Sequence, residues 1–243
     1  MTEFTIGIAG RNIRIRALYE YAKEYCQQYL TDGQPDFTVE ITPADVEFEK
    51  VKSDRENEVE GLPPVDFKPE YLETLAIYRK IADKMLDYNA FLFHGSALAV
   101  DGKGYLFTAK SGTGKSTHTF IWKGALGERC VMVNDDKPLL LVTEDKVMVC
   151  GTPWDGKHRR STNMMVPLQG LAILERGQDN EITPVEPAAV LPLLLQQTYR
   201  PSSAEALEKT LNLLQQAMDK VRLYRLKCTI SLDAARVAYL GMK

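Results

Sequence analysis

Tyr105-Leu106-Phe107-Thr108-Ala109-Lys110-Ser111-Gly112-Thr113-Gly114-Lys115-Ser116-Thr117 decides how the rest of this chain is read. Tyr105 to Thr108 has the residue types of a buried strand. A helical stretch follows from about Lys115 to Trp122. Small residues between a strand and a helix let backbone N–H groups turn inward and approach an anion closely. The helix start adds its partial positive charge at the same place. Lys115 can reach terminal phosphates, and the Ser116 hydroxyl can hold Mg²⁺. Ser111, Gly112, Thr113, Gly114, Lys115, Ser116 and Thr117 are therefore expected to bind the phosphates of a nucleotide. The usual pattern has glycine where this chain has Ala109. A methyl group there is a mild change as long as the backbone keeps a negative φ.

Working outward, Asn134-Asp135-Asp136 ends the apolar run Cys130–Val133, about twenty residues downstream. Acid at a strand end is common in ordinary turns. Beside a phosphate loop it suits a metal ligand, Asp136 or Asp135 with Ser116, and a base that takes the proton of an attacking hydroxyl. His94, in Phe93-His94-Gly95-Ser96-Ala97, lies in the strand-like run before the loop. A lone histidine in an apolar strand is most often a satisfied core residue. A hairpin through Asp101–Gly104 would instead bring His94 to the loop's end of the sheet. Gly151-Thr152-Pro153-Trp154-Asp155-Gly156-Lys157-His158-Arg159-Arg160 is a second glycine-bearing stretch after an apolar strand. Arg159 there could clamp a transferring phosphoryl group, and Lys157, His158 and Arg160 could bind an acidic substrate. A solvated turn would look the same. Gln196-Gln197-Thr198-Tyr199-Arg200 is a weaker candidate.

The composition sets bounds. The chain has 243 residues, 44% of them hydrophobic, and a net charge of −3. That is enough to bury a sizeable core and lacks the basic excess of a nucleic-acid wrapper. No run approaches the roughly 20 apolar residues that span a bilayer. The start Met1-Thr2-Glu3-Phe4 has no secretory pattern, and Cys26, Cys130, Cys150 and Cys228 lack a metal-ligand spacing. A cytoplasmic protein with free buried thiols is expected.

Phe4, Ile6 and Ile8 alternate as a strand, and Ile15 to Tyr29 carries helical spacing up to Gly33. Phe37, Val39 and Ile41 alternate again, and Thr42-Pro43 opens a helix. The charged run 49–60 with Gly61-Leu62-Pro63-Pro64 is the best linker. The expected domains are a small N-terminal α/β lobe over 1–64 and a larger domain over 65–243. The larger one includes a linking helix over 70–87, with Tyr71, Leu75, Tyr78, Ala82 and Met85 on one stripe. Phe91–Val100 reads as one strand, 139–150 as a hairpin, and Leu171–Leu174 as a buried strand. The stripe Leu207, Leu211, Leu214, Met218, Val221 marks a late helix. A short strand near Leu223–Leu226 and a helix from Ser231 close the chain.

The run from Phe91 to Asp136, about a fifth of the chain, resembles the catalytic core shared by HPr kinase/phosphorylases and phosphoenolpyruvate carboxykinases. His94-Gly95-Ser96-Ala97, Ser111-Gly112-Thr113-Gly114-Lys115-Ser116 and Asn134-Asp135-Asp136 match in order. The resemblance implies an α/β fold with a mixed, largely antiparallel sheet around the phosphate loop. It implies ATP with Mg²⁺, Mn²⁺ being the alternative, Lys115 on the β/γ-phosphates, Asp135 as base and Asp136 on the metal. In carboxykinases the histidine matching His94 and the aspartate matching Asp135 help hold a transition metal. Carboxykinases are about twice as long and carry a basic substrate site ahead of the loop that has no counterpart here. A further loop characteristic of HPr kinases is also missing from the sequence. The resemblance is thus to a small HPr kinase-related phosphotransferase acting on a hydroxyl of a small molecule, peptide or protein. Neither nucleic acid nor membrane is expected as a partner, and an oligomer is compatible. The rival readings are a non-catalytic nucleotide-binding regulatory module and a carboxykinase-like metal-dependent lyase.

Overall fold

The computed structural model describes residues 1–61, 63, 65–110 and 112–243. Leu62, Pro64 and the expected loop residue Ser111 lie outside the described residues. The chain divides into two units, Met1–Lys84 and Met85–Lys243.

The first unit begins with an antiparallel hairpin of β1 (Thr2–Ile8) and β2 (Arg11–Ala17). Ala9 and Gly10 make the reversal, at φ of 50° and 74°. Next come α1 (Tyr21–Tyr25), β3 (Phe37–Glu40), α2 (Pro43–Glu60) and α3 (Pro69–Met85), with β3 parallel to β2. The helix expected from Ile15 to Tyr29 is corrected: Arg11–Ala17 is strand, and the α-helix covers only Tyr21–Tyr25. Helical spacing from Ile15 onward was coincidental. Ile13 and Ile15 stand opposite Ile6 and Phe4, and all four are buried at period two.

The charged run 49–60 is not a linker but the body of α2. Thr42 caps that helix: its N–H and its hydroxyl both bond the Asp45 carboxylate, at 2.9 and 2.8 Å. Gly61, in the left-handed region at φ 65°, ends it. Some of the charges face inward. Glu49 is buried and pairs with Arg79 of α3 at 2.5 Å, while Lys80 bonds Asp45 at 2.7 Å. Buried Glu73 of α3 accepts the N–H groups of Leu18 and Tyr19. These bonds tie α3 to α2 and to the end of β2 within the first unit, which runs to Lys84.

The second unit runs β4 (Ala90–Leu92), β5 (Ser96–Val100), β6 (Lys103–Thr108), α4 (Lys115–Leu126), β7 (Cys130–Asn134), β8 (Leu139–Val142) and β9 (Val147–Cys150). It continues with β10 (Met165–Arg176), β11 (Glu181–Pro184), α5 (Pro187–Gln196), α6 (Ala204–Lys220), β12 (Arg222–Cys228) and α7 (Leu232–Met242). The nine strands form one mixed sheet in the order β4-β8-β9-β10-β6-β5-β7, with β12 beside β10 and β11 beside β12. The β6–β10 and β10–β12 pairs are parallel and the others antiparallel, as the motif resemblance implied. The run 91–100 is two strands, not one. Phe93 to Gly95 carry the chain from β8 to β6 and β7, with the Phe93 N–H on Pro138 O and the Gly95 N–H on Asp136 O.

Both sheet faces are covered. Leu98, Val100, Tyr105 and Phe107 pack with Trp122 of α4 and Ala235, Ala238 and Met242 of α7. Ala97, Ala99 and Leu106 pack with Val190 and Leu194 of α5 and Leu213, Leu214 and Met218 of α6. That is why these strands read as near-continuous apolar runs without alternation. The four cysteines are free thiols, three buried and Cys228 half-buried. Burial pushes the thiols of Cys130 and Cys150 up to about 11 and about 12. Among the described residues no helix is long and apolar enough to cross a membrane.

Asp45 offers a test of the first unit. Burial opposes its ionisation, but the Lys80 ammonium and the Thr42 N–H and hydroxyl outweigh this and hold the carboxyl at about 2. A depressed carboxyl contributes stability above its ordinary value of 3.8 and loses it as pH falls through about 2. Asp45→Asn should therefore cost about 2 kcal/mol near pH 7. Hydrogen exchange of the β2 amides measures this, and the gap to wild type should close as pH falls from 3.8 toward about 2.

Candidate active site

Four chain segments meet at one edge of the second unit's sheet. They are the loop after β6, the start of β5, the end of β7, and the chain following β9. The β5–β6 hairpin forms as the sequence suggested, turning at Asp101 and Gly102 with φ of 51° and 78°. It brings Ser96 opposite Phe107, and the Thr108 hydroxyl donates to the His94 carbonyl at 3.0 Å. His94 therefore stands at the loop's end of the sheet.

Gly112 and Gly114 adopt φ of 74° and 116° in the loop, a region that side-chain-bearing residues rarely enter. Ala109 is not among the positive-φ residues, and it is buried against the core that holds Phe107 and Trp122. Its methyl group is thus accommodated as packing. Lys115 opens α4 and folds back, its Nζ donating to Ala109 O at 3.1 Å. Burial depresses the Lys115 ammonium, and the charges of Asp136 and Asp135 oppose that depression. Lysine, loop and both aspartates therefore occupy one electrostatic neighbourhood. Ser116 is half-buried in the first turn and Thr117 is exposed.

Asn134 builds the acid pair. Its side chain is fully buried. The amide N–H₂ donates to Thr152 O and Thr152 Oγ1, both at 3.0 Å, and to Trp154 O at 3.3 Å. Its oxygen accepts the N–H groups of Asp136 and Lys137 at 2.9 and 2.7 Å. The bend that follows sends the two aspartates in different directions. Asp135 is buried, and its Oδ1 accepts from Ser96 Oγ at 2.6 Å. Asp136 faces His94, whose Nε2 lies 3.2 Å from Oδ1. Burial alone would raise the Asp136 carboxyl; the His94 hydrogen bond, with the charges of Lys137, His94 and Lys115, holds it below the usual carboxylate range.

The chain after β9 closes the site. Gly151 has no room for a side chain, since a Cβ there would lie 2.0 Å from Thr162 O. A Cβ at Gly156 would stand 3.2 Å from the Asp136 Cβ, so the stretch runs directly over Asp136. Lys157, His158, Arg159 and Arg160 are all exposed. Arg159 donates to Pro153 O at 3.0 Å and lies 3.5 Å from Asp155. Arg160 sits over the Phe120 ring of α4 at 5.2 Å. The segment Gln196–Arg200 contributes through its backbone. Gln197 O accepts the His94 N–H at 2.7 Å, and the Tyr199 N–H bonds Leu92 O.

Several residues here escaped the sequence reading. Ser96 was visible only as part of a motif. Buried Thr119 follows Lys115 by one helical turn, so a polar residue on the inner face of α4 was the available signal. Asp155 is buried with Oδ1 lacking a hydrogen bond; burial raises its carboxyl, opposed by Ser161 and Arg159 and reinforced by Asp135. Arg176, at the end of β10, donates to Gly112 O at 2.7 Å. No local signal marked that arginine. Among the described residues no three His, Cys, Asp or Glu side chains cluster as a ready metal site.

No protein-family model and no curated protein matches the chain. Among solved structures, it resembles the HPr(Ser) kinase/phosphatase from Coxiella burnetii, with 11% identity and a TM-score of 0.35. The match covers 62% of this chain and 93% of that one. This likeness is one of chain trace, and the functional reading rests on side chains.

Asn134→Ala should test how the acid pair is held. It strips partners from two part-buried N–H groups and from the Thr152–Trp154 turn, each worth about 1–3 kcal/mol when left unsatisfied. Urea unfolding should show a loss of about 3 kcal/mol or more.

Proposed function

We propose that this chain is an ATP-dependent phosphotransferase that moves the γ-phosphate of Mg·ATP to a hydroxyl group. The observation that carries the reading is the convergence of Lys115 with Asp135 and Asp136 at the N-terminus of α4. A partly desolvated ammonium beside two carboxylates suits a transferring phosphoryl group, whose reaction asks mainly for positioning and charge. The loop residues Gly112 to Thr117 would cradle the phosphates, with the helix N-terminus behind them.

Mg²⁺ fits the donor chemistry present. Hard oxygen donors from Ser116 and Asp136, with Asp135 as an alternative, would hold it. When bound, the ion supplies charge neutralisation at the phosphates. His94 would hold Asp136 in place from the opposite side.

Asp135 is the proposed base, since the Ser96 bond engages only one of its oxygens. Arg159 is the proposed clamp on the transferring group. Lys157, His158 and Arg160 would present positive charge to an anionic acceptor at the rim. Asp136 is engaged by His94, which leaves the transition-metal pairing of His94 with Asp135 without geometric support.

A γ-phosphate transfer assay against free amino acids, peptides and HPr-like proteins, with phosphosite mapping, tests the reading. Lys115→Ala should abolish turnover. Asp135→Asn should lower transfer by about 100-fold or more while nucleotide still binds, the range a positioned base supplies. Full transfer by Asp135→Asn would remove the base assignment. Nucleotide binding without consumption across the whole panel would replace the enzyme with a regulatory binding module.

A further inference from the structure

Behind the candidate base lies a short chain of buried hydroxyls that the phosphotransfer reading does not itself require. Ser96, at the start of β5, is fully buried, and Thr119 on α4 is nearly so. Ser96 Oγ stands 2.6 Å from Asp135 Oδ1 and 2.8 Å from Thr119 Oγ1. Counting protons gives the chain a direction. An ionised carboxylate only accepts, so Ser96 must spend its one proton on Asp135. Thr119 must then donate to Ser96. The alternative acceptors for the Thr119 proton, Lys115 O at 3.3 Å and Ser116 O at 3.2 Å, are both more distant. The order is Thr119 to Ser96 to Asp135.

This order links three elements with separate roles. Thr119 lies four residues after Lys115, so both project from the same face of α4. Lys115 reaches into the phosphate loop while Thr119 reaches Ser96, which holds the base. One helical turn thereby sets the distance between the phosphate cradle and the Asp135 carboxylate. Ser96 is fixed on β5, which pairs with β6 ahead of the loop and with β7 ahead of the aspartates.

We propose that Ser96 and Thr119 are positioning residues for Asp135. They tie its Oδ1 to the phosphate-loop helix and turn Oδ2 toward the acceptor hydroxyl as the proton-accepting oxygen. This rests on the phosphotransferase reading. It goes beyond it by assigning which oxygen acts and what aims it. In the step itself the acceptor oxygen forms its bond to the γ-phosphorus as the bond to the nucleoside diphosphate oxygen breaks. The acceptor proton passes to Asp135 Oδ2 and leaves to solvent.

The test uses the full chain and an acceptor that the wild type phosphorylates. Ser96→Ala should lower kcat by about tenfold, part of the ~100- to 10,000-fold that a positioned base supplies, with KM for ATP unchanged. Thr119→Val keeps the shape and removes the donor; it should lower kcat in the same direction, and Thr119→Ser should restore it. The double variant Ser96→Ala/Thr119→Val should be no slower than Ser96→Ala alone, because Thr119 acts only through Ser96. If Ser96→Ala does not fold, the comparison of Thr119→Val with Thr119→Ser decides by itself. Unchanged kcat in Thr119→Val, additive losses in the double variant, or a loss confined to KM for ATP would overturn the positioning role and leave the phosphotransferase reading standing. No transfer by the wild type to any acceptor would overturn both.

Discussion

The side-chain amide of Asn134 is the constraint on which the candidate site depends. A buried amide must satisfy two donors and an acceptor, and here every one is used on backbone or on the Thr152 hydroxyl. By meeting its own needs it bends the chain after β7 and pins the stretch that follows β9. Asp135 then points inward to Ser96, and Asp136 points across to His94. Two adjacent residues of the same chemistry thus acquire different surroundings, and different surroundings are what allow different roles.

The sheet makes this edge possible. Its central strand β10 pairs in parallel with β6 and β12, and β5 runs antiparallel between β6 and β7. That order sets the end of β6, the end of β7 and the start of β5 side by side. Two layers of helices then remove both faces of the sheet from water, so the polar groups at its edge are held by a rigid, close-packed base. Arg176, at the far end of β10, reaches the same edge and holds a loop carbonyl.

The first unit shows the opposite balance of forces. Its second half carries many charges, and some of them are structural. Glu49, Asp45, Arg79 and Lys80 form an ion-pair cluster between α2 and α3, and Glu73 satisfies two backbone N–H groups near the end of β2. Charge density in a sequence says nothing of which face a charge occupies. For that reason a helix could be mistaken for a linker.

By itself the sequence determined whatever depends on chemistry at short range. The loop between β6 and α4, the glycines its backbone angles demand, the hairpin through Asp101 and Gly102, and the presence of α6 were all legible from neighbouring residues. The expected stripe of α6 held only in part: Leu214, Met218 and Val221 are in the core, but Leu211 is exposed and Leu213 and Ala217 pack inward instead. Tertiary structure decided what depends on distant partners. Ile13 and Ile15 became strand residues because β1 offered them a buried face, against their helical spacing. Phe91–Val100 broke into two strands because different neighbours claimed its halves. Thr119, Ser96 and Asp135 are separated by up to 39 residues, and no local pattern records that their oxygens meet. The phosphate loop was written in adjacent residues because backbone geometry is local. The surroundings of the aspartates were not, because burial and hydrogen-bond partners exist only once the sheet has closed around them.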